Sequence, residues 1–124
     1  LARLRGGTVQ ERVAALKELR AQGEQFFMQN DFSGGDLSGM DLSGTQLDGS
    51  ILRGAKAIGT NLSGASMINC DVGKADFSGA NLEGIVVEFL KRWPESKCDD
   101  KTIMPNDKWT CEKGSPKKVE EKNG

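Results

Sequence analysis

The 124-residue chain contains no histidine and no tyrosine. Without imidazole there is no Ser-His or Cys-His dyad, no histidine metal ligand and no general acid or base that titrates unperturbed near neutral pH. Neither sign of charge dominates, with 17 Lys and Arg against 18 Asp and Glu. That balance gives no overall case for binding nucleic acid or an anionic membrane surface. Long apolar runs are also missing, and none approaches the ~20 residues of a membrane span, so no membrane insertion is expected. Neither a converging acid–base pair nor a phosphate loop is visible, so no catalytic residue, metal ligand or cofactor is assigned. The chain opens at Leu1-Ala2, without Met or a secretion-signal pattern. The expectation is a trimmed precursor or a fragment, with any targeting peptide outside it.

Aromatics are few and glycine is abundant, at 16 residues. Such a composition suits disorder, except that these glycines recur at a fixed interval. From Asp31 the chain runs in blocks of five: DFSGG, DLSGM, DLSGT, QLDGS, ILRGA, KAIGT, NLSGA. The central residues, position i, are Phe32, Leu37, Leu42, Leu47, Leu52, Ala57, Leu62, Met67, Val72, Phe77, Leu82 and Val87, all apolar. Position i−2 is mostly small, i−1 is mostly Asp or Asn, and i+2 is Gly in nine of the twelve blocks. A period of five fits neither the 3.6 of a helix nor the 2 of a strand. Each block is therefore a short extended piece closed by a bend. Within the extended piece i−2 and i point one way, towards a core, and i−1 points to solvent. The glycine at i+2 suits a bend that needs a permissive backbone.

The flanks read differently. Thr8-Val-Gln-Glu11 has the form of a capping box, and Val9, Val13, Leu16 and Leu19 follow with helical spacing until Gly23. A helix near residues 9–22 is predicted, its apolar stripe laid on the first blocks. Beyond Gly84, IVVEFLKRW leads to Pro94. Either the last block runs on or a short helix begins near Val86, and Ile85, Phe89, Leu90 and Trp93 are placed to cover the end. Thr102-Ile-Met, a turn at Pro105-Asn-Asp-Lys, and Trp109-Thr-Cys read as a small hairpin. From Gly114 the chain is charged and lacks aromatics, which predicts disorder. The boundaries expected are thus 1–29 for the N-terminal segment with its helix, 30–88 for the repeats, 89–113 for a C-terminal cap and 114–124 for a tail.

Cys98 and Cys111 bracket the predicted hairpin. Their main reading is a disulfide, which for such a loop contributes about 3 kcal/mol in the chain-entropy model. Two free thiols in a reducing compartment are the alternative. A zinc site would need more ligands than two Cys supply. Cys70 occupies an inward i−2 position and reads as a small buried residue. Asn61-Leu-Ser63 matches a glycosylation sequon but is also simply the repeat.

Asn61-Leu-Ser-Gly, Ala75-Asp-Phe-Ser-Gly and Ala80-Asn-Leu-Glu-Gly resemble the pentapeptide-repeat family, whose motif is A(D/N)LxG. The resemblance implies an all-β solenoid, a right-handed quadrilateral β-helix with four blocks per coil. It extends over about Asn30 to Val87, which makes about three coils between an N-terminal α-helical cap and a C-terminal helical or hairpin cap. Ala57, Met67 and the block ending at Lys74 depart from the pattern and put local turn geometry in question. On such a solenoid Asp31, Asp36 and Asp41 fall on three different faces and cannot converge on one ion. Asp36, Lys56 and Asp76 stack as an alternating ladder of exposed charge. Ile51, Ile58 and Ile68 interrupt the polar exterior. Either the C-terminal arm packs on them or they form a partner patch.

Three functional readings follow. The first is a non-enzymatic binding or scaffold module presenting a rigid surface to a protein partner. Helix, coils and Cys-containing cap together resemble plant thylakoid-lumen pentapeptide-repeat proteins, which implies a location in the chloroplast thylakoid lumen. The second is a redox-responsive protein switched by reduction of Cys98–Cys111. The third is DNA mimicry directed at a topoisomerase, as in some members of the family. B-DNA carries one charge per ~1.7 Å, so ~14 Å of rod needs about eight net negatives. Residues 31–88 hold eight acids and three bases, a net of −5 spread around all sides, which disfavours mimicry.

Overall fold

The computed structural model describes residues 7–120. Its first element is helix α1, Val9–Ala21. Thr8 caps it: the Glu11 amide donates to Thr8 Oγ1 at 3.1 Å, and the Thr8 amide donates to Glu11 Oε1 at 3.0 Å. Two otherwise orphaned donors are satisfied reciprocally. At the other end Gly23 takes φ +86°, the Gly23 amide bonds Arg20 O and the Glu24 amide bonds Leu19 O. This is the Schellman closure that glycine permits. Val13 and Leu16 are buried, with Val9 and Leu19 packed beside them.

The repeats build a four-sided β-helix. Single parallel bridges join residues 20 apart: Phe26, Gln46 and Ser66 on face 1; Asp31, Ile51 and Asp71 on face 2; Asp36, Lys56 and Asp76 on face 3; Asp41, Asn61 and Asn81 on face 4. All twelve predicted i residues are buried, from Phe32 to Val87. Burying each Leu or Phe contributes about 1.5–3 kcal/mol relative to exposure. Each bend closes through a bond such as Gly35 amide to Phe32 O at 2.9 Å. The residue at i+2 has positive φ, as a type II turn requires, in every block but that of Val87, where Phe89 does not. Asn69 (φ 62°) and Lys74 (φ 59°) take the glycine's place without changing the bend. The departures from the motif therefore cost backbone strain rather than geometry.

Polar residues also make the bends. Asp31, Asp41 and Asp76 each accept from the amide and the hydroxyl of the serine two residues on, and Asn61 does so from Ser63. Asp or Asn at i−1 is thus an Asx cap as well as a solvated side chain. Inside, Thr60 Oγ1 donates to Leu37 O at 2.7 Å and Ser50 Oγ to Phe27 O at 3.1 Å. Small polar residues at i−2 therefore sit in the core with their hydrogen bonds made.

The stacking extends past the expected limits of 30 and 88. It begins one block earlier, at Phe26 with Phe27 buried. It then passes residue 88 through Lys91, Lys97 and Ile103, which bridge Asp71, Asp76 and Asn81. Val86 starts no helix, because the Leu90 amide bonds Val87 O as in any other block. A 3₁₀ turn, Trp93–Glu95, follows with Pro94 in its first turn.

The predicted hairpin across Pro105-Asn-Asp-Lys does not form. Ile103 is already committed to face 4, since the Leu82 amide bonds Ile103 O and the Ile103 amide bonds Ala80 O. The hairpin instead joins β1, Trp109–Glu112, to β2, Ser115–Lys118. Lys113 (φ 53°) and Gly114 (φ 80°) form its two-residue loop, with the positive φ values a type I′ turn needs. Residues 115–118 are therefore strand, not tail.

Among the described residues no coil precedes the first, and α1 supplies donors for its exposed carbonyls. Arg12 Nε donates to Asp31 O at 2.7 Å. Arg20 Nε donates to Asp41 O at 2.8 Å and its Nη2 to Ser43 O at 2.9 Å. These guanidinium groups stand where the backbone amides of a preceding coil would be, and so blunt the sheet edge.

Candidate functional site

Two features stand out among the described residues: an apolar stripe on face 1 and the disulfide-tied hairpin at the C-terminal end. Face 1 has Phe26 half exposed at 50%, and Phe89 at 56%. Met28, Ile68 and Val86 are exposed between them. The Gln29 amide bonds Asp48 O, the Gly49 amide bonds Ile68 O and the Asn69 amide bonds Phe89 O, which strings these residues up a single side. Met28, Asp48, Ile68 and Asn69 line a shallow groove of about 500 Å³. Asp48 fixes its floor by accepting from Ser66 Oγ at 2.6 Å and from the Ile68 amide at 2.9 Å. Among the described residues the face holds no lysine or arginine, and its charged groups are Asp48 and Glu88.

The three isoleucines singled out from sequence are all exposed, between 38% and 44%. They do not form one patch. Ile68 belongs to face 1, Ile51 to face 2 beside it, and Ile58 to face 3. Nor does the C-terminal arm cover them, because its backbone continues the stack over the end of the β-helix. Asp31, Asp36 and Asp41 likewise occupy faces 2, 3 and 4. Their carboxyls are held below the ordinary range, chiefly by hydrogen bonds from Ser33, Ser38 and Ser43. The ladder Asp36, Lys56, Asp76 is present on face 3 and gains Lys97.

Cys98 and Cys111 are joined, with Cα atoms 6.0 Å apart. The bond ties the last coil, at Lys97, to β1. Three aromatic rings pack in series at this end of the molecule. Trp93 meets Trp109 edge to face at 5.7 Å, and its other side lies 6.3 Å from Phe77. Trp93 is 4% exposed, and its indole N–H is buried without a hydrogen-bond partner. Cys70 is a buried free thiol whose Sγ donates to Leu47 O at 3.0 Å. Burial pushes its pKa up to about 12, so it is no nucleophile at neutral pH.

The pentapeptide-repeat profile matches residues 27–64 and 52–84 in eight copies. Residues 27–84 are therefore pentapeptide repeats of this family. The match implies a right-handed β-helix, in agreement with the parallel bridges at intervals of 20. Similar solved structures include a pentapeptide-repeat protein from Nostoc PCC 7120, at 28% identity over 77% of this chain and 86% of that one, with a TM-score of 0.33. Another, from the thylakoid lumen of Arabidopsis thaliana, is 29% identical over 60% of this chain and 64% of that one, with a TM-score of 0.31. A third, from the cyanobacterium Cyanothece 51142, is 25% identical over 63% of each chain, with a TM-score of 0.24. Among curated proteins no sequence matches this one.

Within this pentapeptide-repeat chain, the sequence reading missed Phe26, Met28, Val86 and Phe89 as members of the exposed stripe. The signal was apolar residues at i−1, i+1 or i+2 in blocks that had lost their Asp or Gly. No helix among the described residues is long and apolar enough to cross a membrane.

Proposed function

We propose that this pentapeptide-repeat chain is a non-enzymatic binding module that presents face 1 to a protein partner. Its regular repeat, about three coils, is closed by α1 at one end and by the disulfide-tied segment at the other. The observation that carries the reading is the exposure of Phe26 and Met28, then Ile68, then Val86 and Phe89 at successive levels of one side, with Asp48 between Met28 and Ile68. Exposed apolar residues gathered on one face mark an interaction site. The fitting partner is an apolar protein segment flanked by lysine or arginine, since face 1 offers only Asp48 and Glu88 as charges. Nucleic acid and membrane insertion do not fit this surface. The disulfide supports an oxidising compartment, and the layout narrows the proposal to the chloroplast thylakoid lumen.

Site-directed photo-crosslinking in lumen extract tests it. A crosslinker at position 28 or 68 is expected to trap a discrete protein adduct that one at Ser63, on face 4, does not. Equal adducts from both faces, or none from face 1, would reject the reading.

A further inference from the structure

The C-terminal hairpin is joined to the body by few contacts. The backbone ladder is continuous as far as the Gly84 amide to Pro105 O bond at 2.9 Å. Beyond it, the β1 and β2 pairing bonds are internal to the hairpin. Attachment to the β-helix rests on the Cys98–Cys111 bond, the Cys98 amide to Gly114 O bond at 3.0 Å, and packing of β2 and Trp109 on the turn that carries Trp93.

The closed position carries a penalty, because the Trp93 indole N–H is buried with no acceptor. An unmet buried donor favours any state that returns it to water. The disulfide opposes that opening by holding the hairpin within reach.

We propose that Cys98–Cys111 is a redox latch: reduction by a protein dithiol frees residues 106–120 to swing away and uncover Trp93. The chemistry is ordinary thiol–disulfide exchange. A thiolate of the dithiol attacks Cys111 Sγ, because Cys111 is only partly buried whereas Cys98 is 5% exposed. The S–S bond breaks and Cys98 leaves as a thiolate. The second thiol of the reductant then resolves the mixed disulfide. Two electrons pass from the reductant, which ends as a disulfide, and Cys98 and Cys111 end as protonated thiols. Because residues 106–120 contribute no side chain to the stripe on face 1, the latch and the binding reading stand or fall separately.

Hydrogen exchange on the whole chain, oxidised and after reduction by dithiothreitol or a Cys-X-X-Cys oxidoreductase, tests the latch. Amides of 109–119 are expected to lose protection about 100-fold, in keeping with loss of the loop constraint. Those of Leu62 and Leu82 should keep theirs, and tryptophan emission should shift to the red. The Cys98→Ser, Cys111→Ser double variant should match the reduced protein without reductant. In the reduced state Trp93→Phe, which removes the unpaired donor, should slow hairpin exchange about fivefold. Unchanged protection of 109–119 after complete reduction would overturn the latch, as would loss of protection throughout the coils. No slowing by Trp93→Phe would overturn the role given to the indole.

Discussion

Gly35 and Val13 touch so closely that a Cβ built on Gly35 would lie 2.8 Å from Val13 Cγ2. Val9 Cγ1 would be 3.0 Å away. This glycine is there for helix approach rather than for backbone freedom, since its φ is not positive. Gly35→Ala should destabilise the protein by about 1–3 kcal/mol, the ordinary cost of overpacking. A double-mutant cycle in urea with Val13→Ala should recover much of that loss. Additive effects of the two changes would disprove the contact.

Lys74 sits at φ 59° in a bend where most other blocks carry glycine. A left-handed conformation costs a non-glycine residue about 1–2 kcal/mol. Lys74→Gly should therefore raise stability by about 1 kcal/mol, read as a higher denaturation midpoint with an unchanged m-value.

Arg20 serves three carbonyls, those of Asp41, Ser43 and Glu24. Arg20→Lys keeps the charge but loses the planar fork. It should cost about 1–2 kcal/mol and loosen α1 first, seen as faster exchange of the α1 amides. Equal stability of the two proteins would mean that charge alone matters at that edge.

The Asp caps predict an acid response. Asp31, Asp36, Asp41 and Asp99 have folded pKa values below their unfolded ones, chiefly because hydrogen bonds favour the ionised form. Their contribution is present above the unfolded value of about 3.9 and fades as pH falls through the folded values. Thermal midpoints should hold steady from pH 7 to 5 and fall below about pH 4. Replacing Asp31, Asp36 and Asp41 by Asn, the residue that makes this cap at Asn61, should make that fall shallower.

Much of this was legible from the period of five. The inward i and i−2 positions and the capping box of Thr8 and Glu11 follow from residue types alone. The Phe26 block was harder to see, because an apolar residue at i−1 and Gln29 at i+2 erase the motif while the chain keeps the geometry. At the other end the bridges widen to 21 residues at Lys97 and 22 at Ile103, so the period is broken although the ladder continues. The hairpin register was hidden for a similar reason. Lys113-Gly114 is a weaker turn signal than Asn-Gly, and Pro116 lies within β2, where proline is tolerated only because the strand is an edge. The apolar stripe needed the fold itself, since Met28, Ile68 and Phe89 are far apart in sequence and meet only through the stacking of coils.

Binding of a protein to face 1 can be read from the native size of the tagged chain in lumen extract, compared with Met28→Lys, Ile68→Lys on face 1 and Ser43→Lys, Ser63→Lys on face 4. The parent and the face 4 variant should migrate together in a larger complex, while the face 1 variant, folded by circular dichroism, should run free of it. Retention of the face 1 variant in the same complex as the parent would contradict binding at face 1.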